Sequence, residues 1–201
     1  MAIREVDDQS VEGNTRVTVN FAVILFVLLA VEGLTVVAIR PLLTWHVAVG
    51  LVLTPPLLAK IGSTSWRIVR YYTGSTPYTR KGPPPLLLRL LGPFVVLLSV
   101  IVVVSGIALI LVASSSTWGQ RFFFVHKASF ILWFVATSVH VLGHIVDTAR
   151  EAPGDWFPAG RRAVRGAPAR LWLVASSLVL GALLALWLTP HAAHWVFYGD
   201  Q

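Results

Sequence analysis

The sequence contains no cysteine, and its single methionine is the first residue. Without cysteine the chain cannot form disulfides, thiolate-bound haem, ordinary iron–sulfur clusters or a covalently attached c-type haem. A haem iron held by a His/Met pair is disfavoured as well, because no internal methionine exists. Sulfur therefore plays no part in any site that the chain could build.

Charge is also scarce, since only 12% of the residues are charged and 56% are hydrophobic. A water-soluble domain carries about 25% charged residues, so this composition indicates a membrane protein. About 20 apolar residues cross the hydrocarbon core of a bilayer. The sequence has five such stretches and predicts a single all-α membrane domain over residues 1–201, with spans at roughly 18–39, 43–60, 92–113, 122–147 and 171–190.

The few charges are distributed unevenly between the predicted loops. Of the 16 basic residues, 13 fall on one side, and the three on the other side are Arg40, Arg121 and Lys127. Because basic residues are retained in the cytoplasm, we expect a multi-pass protein of the inner (plasma) membrane with a cytoplasmic N-terminus and an outer C-terminus. The acidic N-terminal tail does not resemble a signal peptide, so the first span is expected to be retained. The net charge of +7 is thus interpreted as a topology signal, and we expect no nucleic-acid partner.

The fourth span carries three histidines, His126, His140 and His144. Ionisable side chains within a membrane helix are costly, so each is a candidate functional residue. At about 100° per residue, His126 and His140 differ by about 40° in direction and roughly 21 Å in depth. His144 lies one turn beyond His140, so all three are expected on one stripe that faces the bundle interior.

A second set of residues should meet this stripe near the outer surface. His46 opens the second span at the depth that we expect for His126, and Gly50 follows on its face with room for a flat ligand. Imidazole is a usual axial ligand of haem iron, so His46 and His126 could hold one haem between facing helices. Arg40 and Arg121 lie at the same surface, where haem propionates would need cations.

The inner half of the stripe has no second histidine at the same depth on a facing helix. We expect Lys60 to extend its side chain to the headgroups, and no other histidine lies at that depth. His140 could hold a five-coordinate haem, or His140 and His144 could bond a haem edge, a quinone or each other. Glu32 in the first span could handle protons or a quinol hydroxyl, or could simply bond a neighbouring helix.

These residues resemble a motif of the bacterial membrane cytochrome b superfamily, which includes cytochrome b(561) proteins and the gamma or cytochrome subunits of formate dehydrogenases and hydrogenases. The resemblance covers residues 16–148 and rests on His46-x3-Gly50, on Trp66-Arg67 and on His126-x13-His140. It implies a four-helix haem-binding core formed by the first four spans. The family's first span usually places a histidine where this chain has Val19, so the resemblance implies the outer haem and leaves a second haem open.

The resemblance implies electron transfer between quinol or quinone and a partner redox protein, expected at the outer face. The chain would then bind one haem b, with a second left open, and act as an electron-transfer subunit of an oxidoreductase. The alternative is a non-redox transporter or assembly protein that uses its intramembrane His and Glu residues as a proton or metal path. A structural membrane anchor is a third interpretation.

Overall fold

The computed structural model describes residues 2–82 and 86–196, and within them all regular structure is helical. The α-helices in chain order are α1 (Ala2–Val37), α2 (Ile39–Tyr72), α3 (Thr76–Lys81), α4 (Leu86–Leu111), α5 (Thr117–Glu151), α6 (Pro153–Trp156), α7 (Pro158–Ala163), α8 (Ala167–Leu188) and α9 (Ala193–Val196). A short 3₁₀ helix, Thr189–Ala192, joins the last two.

Five of the helices in the described part of the chain, α1, α2, α4, α5 and α8, are long and apolar enough to cross a membrane. Their outward faces carry large apolar side chains that the protein leaves uncovered, such as Leu142 at 71% and Leu186 at 76% exposed. Apolar surface of this extent is stable only against lipid. The predicted all-α membrane bundle of five helices is therefore confirmed.

The helices extend further than the apolar stretches predicted. The segment after Lys60 was expected to be a loop, but α2 continues through it to Tyr72. Hydropathy marks only the part of a helix that lies in lipid, and no glycine or proline interrupts residues 63–73. The chain leaves the helix at Gly74, whose positive φ of 78° suits the residue after a helix end.

Proline bends or breaks a helix, so Pro55 and Pro56 predict a bend or a break in the second span. The structure shows no break, since α2 is continuous across both. Proline lacks an N–H, so the carbonyl of Val52, four residues before Pro56, loses its usual partner. Gly181 of α8 packs against that carbonyl so closely that an added Cβ would lie 2.5 Å from the oxygen. The backbones of α2 and α8 therefore approach each other closely at the carbonyl that the proline leaves without its intrahelical partner.

The connection between α1 and α2 is shorter than expected. Arg40 and Pro41 were predicted to form a turn, but both belong to the first turn of α2, and Ala38 alone separates the two helices. Proline is tolerated in a first helical turn because its N–H would be unbonded there. The tight connection brings the last two turns of α1 against the first turns of α2.

The bundle is organised around α2, which packs along α1 on one side and along α8 on another, while α4 packs along α5. A small apolar core lies where α2, α4 and α8 meet, formed by Leu51, Ile110 and Ala185. We name the two ends of the bundle by residues of α2. The His46 end contains Ala38 and the start of α5, and the Lys60 end contains the C-terminal parts of α2 and α5.

Candidate functional site

His46 lies in the second turn of α2 and is held by two residues from the end of α1. Its Nδ1 lies 2.9 Å from Glu32 Oε1 and 3.1 Å from Thr35 Oγ1. The Thr35 hydroxyl also donates to the Glu32 carbonyl oxygen at 2.6 Å, which fixes it beside the carboxylate. Opposite an ionised Glu32, which can only accept hydrogen bonds, a neutral imidazole carries its hydrogen on Nδ1 and keeps a free lone pair on Nε2.

His126 on α5 is held in a similar way by α4. Its Nδ1 lies 3.1 Å from the carbonyl oxygen of Val102 and 3.1 Å from Ser105 Oγ. The carbonyl only accepts, so Nδ1 again carries the hydrogen and Nε2 keeps the lone pair. Histidines that bind metals typically donate their second ring N–H to a carboxylate or a backbone carbonyl, and both histidines have such a partner.

The His46 and His126 rings approach each other across the bundle, with centroids 6.2 Å apart and planes at 78°. Two imidazoles on opposite sides of one metal place their ring centres roughly 6 Å apart, because each bonded nitrogen lies about 2 Å from the metal. The proximity expected from matching depth is observed. The two histidines could therefore hold one haem iron between them, by donor type and by the separation of their ring centres.

Two glycines flank these groups. A Cβ at Gly106 would lie 3.1 Å from His126 Cε1, so this glycine provides the space that the ring occupies. The Ser105–Gly106 pair in α4 is typical of a helix-packing point, and nothing in this pattern indicates its contact with His126. A Cβ at Gly50 would lie 3.4 Å from Glu32 Oε1, so Gly50 accommodates the carboxylate. Its contact with a flat ligand stays a prediction.

The cations predicted for haem propionates lie on the surface of the same end. Arg40 is exposed in the first turn of α2. Arg121 is also exposed, and its guanidinium lies 5.0 Å from the centre of the Trp118 ring. Their role toward propionates stays a prediction.

The Lys60 end of α5 carries His140 and His144 with ring centroids 4.8 Å apart. Among the described residues, His140 Nδ1 is buried without a hydrogen-bond partner, and the hydroxyl of Thr137, one turn before it, is in the same state. Buried polar atoms without partners are rare, and each calls for an explanation such as a bound water or ligand. These two atoms are therefore candidate contacts for a polar ligand at the Lys60 end.

Lys60 contacts α1, and the extension of its side chain to the headgroups stays a prediction. Its ammonium donates to the Thr18 carbonyl oxygen at 3.3 Å, at the start of the first predicted span. An ammonium inside the bundle is costly, and the carbonyl offsets part of that cost. The Lys60 end thus contains an ammonium on α2 and two histidines and the Thr137 hydroxyl on α5.

Sequence analysis missed a buried ion pair at this end. Asp155 of α6 is fully buried and accepts from Arg170 at 2.6 and 2.7 Å in a bidentate pair. Asn20 of α1 donates to the same carboxylate at 2.9 Å, and Arg161 donates to the Asp155 carbonyl at 2.8 Å. The contact fastens the segment after α5 to α1 and α8. An acid among many arginines and an asparagine within a span were the available signals.

The two C-terminal histidines serve the helices. His194 Nε2 lies 3.1 Å from the Val112 carbonyl oxygen, and Trp195 donates to the Leu109 carbonyl oxygen, so both cap the end of α4. His191, in the 3₁₀ helix, bonds the carbonyl of Trp187 in the last turn of α8. Among the described residues no group of three His, Cys, Asp or Glu side chains is placed to hold a bare metal ion, and a haem needs only two.

Comparison with known proteins adds no assignment. The chain matches no family model, no curated protein and no solved structure. The resemblance to the membrane cytochrome b superfamily therefore depends on the motif residues given above, and the site has to be argued from its own geometry.

Proposed function

We propose that the protein is a membrane cytochrome that binds one haem b between His46 and His126 and exchanges electrons between a quinone and a partner redox protein. The observation that carries the proposal is the pairing of the two imidazoles. Both Nδ1 atoms are held by acceptors, both Nε2 atoms are left for a metal, and the ring centres are 6.2 Å apart.

The residues around the pair have separate tasks. Glu32 and Thr35 orient His46, and Ser105 with the Val102 carbonyl orients His126. Gly106 leaves space for the His126 ring. When bound, haem supplies reversible one-electron chemistry, and the protein supplies the ligands and the apolar surroundings.

The Lys60 end is the proposed position of the quinone. The Lys60 ammonium, the Thr137 hydroxyl and an N–H of His140 or His144 can all donate hydrogen bonds, and a quinone presents carbonyl oxygens that accept them. Two of these groups, His140 Nδ1 and Thr137 Oγ1, are buried without a partner. The same histidines can carry the protons that accompany quinone reduction or quinol oxidation.

The surface of the His46 end supports a proposed position for the partner protein, and the distribution of basic residues supports the proposed membrane orientation. Trp45 and Trp118 are exposed there at 64% and 61%, beside Arg40 and Arg121. We place the redox partner on this surface and assign it to the outer face of the plasma membrane because 13 of the 16 basic residues belong to the other side. Reporter domains fused after residue 75 and after residue 201 should report opposite compartments, and the same compartment for both would contradict the topology.

Absorption spectra of the purified protein test the haem assignment. We expect a low-spin haem b spectrum that disappears in His46→Ala and in His126→Ala, because an iron with one axial histidine is not low-spin bis-histidine. His140→Ala is the matched control from the same helix and should keep the spectrum.

Two outcomes would contradict the proposal. A spectrum that survives both His46→Ala and His126→Ala would rule out the ligand pair. A well-folded protein that takes up no haem would favour the non-redox path through the His and Glu residues.

A further inference from the structure

The groups behind the two proposed axial histidines differ in charge. His126 Nδ1 faces only neutral atoms, the Val102 carbonyl and the Ser105 hydroxyl. His46 Nδ1 faces the carboxylate of Glu32 at 2.9 Å. The two imidazoles are therefore expected to donate different amounts of electron density to a bound metal.

We propose that Glu32 is a positioning residue for His46 that fixes the ring's Nδ1–H tautomer and lowers the reduction potential of haem bound at this site. The inference depends on the proposed function and adds a residue that sets its potential. A carboxylate that accepts the Nδ1 hydrogen makes the imidazole a stronger donor at Nε2, and a stronger donor stabilises ferric over ferrous iron.

The structure supports a specific carboxylate–imidazole contact. The two side chains are 15% and 20% exposed, so water does not replace the bond. Thr35 Oγ1 lies 3.5 Å from Glu32 Oε2 and 3.1 Å from His46 Nδ1, which places it against both partners. Gly50 leaves the space that the carboxylate fills, since an added Cβ would lie 3.4 Å from Oε1.

The position of Glu32 within the membrane strengthens the expected effect of its carboxylate on the reduction potential. A carboxylate in a bundle of low dielectric is costly, and an acid side chain there usually has a named partner. For Glu32 that partner is an imidazole N–H, and electrostatic effects on a neighbouring metal are larger in such surroundings than in water. The asymmetry between the two ligands is thus an expected determinant of the potential.

A redox titration of Glu32→Gln tests the inference. Glutamine keeps an oxygen acceptor for Nδ1 and removes the charge, so we expect an unchanged low-spin spectrum with a higher midpoint potential. The expected size is about a tenfold rise in the ferrous-to-ferric ratio at a fixed potential, or about 59 mV for a one-electron couple. Glu12→Gln is the matched control on the same helix, because it makes the same change at a carboxylate that lies 20 residues before Glu32 and contacts Arg16, and it should leave this ratio unchanged.

The outcomes separate this inference from the proposed function. A Glu32→Gln protein with full haem content and an unchanged midpoint overturns the role of Glu32 and leaves the haem assignment intact. If the wild-type protein binds no haem that depends on His46, the proposed function itself is contradicted.

If Glu32→Gln fails to accumulate, nitrogen NMR of histidine-labelled wild-type protein without haem supplies the second test. The His46 signal is identified by its loss in His46→Ala. We expect the Nδ1–H tautomer for it, and the Nε2–H tautomer would overturn the inference.

Discussion

The two ends of α5 carry the same residue type in different surroundings. At the His46 end, His126 has its Nδ1 bonded to α4 and its ring 6.2 Å from that of His46. At the Lys60 end, His140 has a buried Nδ1 without a partner and its ring lies 4.8 Å from that of His144 on the same helix. The contrast teaches that spacing places a histidine on a face, whereas its hydrogen-bond partners and the nearest ring indicate its task.

The ends also differ in how they are held together. The Lys60 end is fastened by the buried pair of Asp155 and Arg170. At the His46 end, the interior polar contacts orient His46 and His126, which would hold the proposed ligand, or cap the end of α4 through His194 and Trp195. We therefore expect the Lys60 end to depend on the protein alone and the His46 end to gain order from its cofactor.

The largest effect is expected from Asp155→Ala. Removing one partner of a buried ion pair leaves the other charge uncompensated and costs about 3–5 kcal/mol. Thermal unfolding in detergent should show this loss with and without haem. Arg89→Ala is the control at the same end, since its contact with Tyr72 is exposed, and it should cost less than about 1 kcal/mol. Equal losses for the two variants would contradict the proposed role of the buried pair.

Much of the fold followed from the sequence. The number of spans came from the lengths of apolar stretches, which lipid alone dictates. The extension of α2 to Tyr72 could not be predicted, because hydropathy does not report the part of a helix that lies beyond the bilayer. The close approach of Gly181 to the α2 backbone beside Pro55 and Pro56 joins residues more than a hundred positions apart, and no local pattern predicts it.

The candidate site was predictable in part. The proximity of His46 and His126 followed from matching depths. The contact of Glu32 with His46 depends on the face of α1, which is set by a connection of one residue, Ala38. The bond between Asn20 and Asp155 joins residues 135 positions apart, and only the packing of the helices brings them together.

A smaller effect, this time on haem affinity, is expected from a methyl group added beside the histidines at each end of α5. Gly106→Ala places Cβ 3.1 Å from His126 Cε1, so the ring must move and haem should bind roughly tenfold more weakly. Gly143→Ala is the counterpart toward the Lys60 end, where Cβ would meet the end of the Leu88 side chain, which can rotate away. Haem titration of the two variants compares them, and equal affinities would contradict the importance of ring placement.

The number of haems per chain tests most directly whether only the His46 end is built as a haem site. Pyridine haemochrome measurement on the purified protein, normalised to protein concentration, gives the ratio. Because His140 has neither a facing histidine nor a partner for its Nδ1, we predict a ratio of about one haem per chain. A ratio near two would show that the Lys60 end also holds haem and would contradict the account.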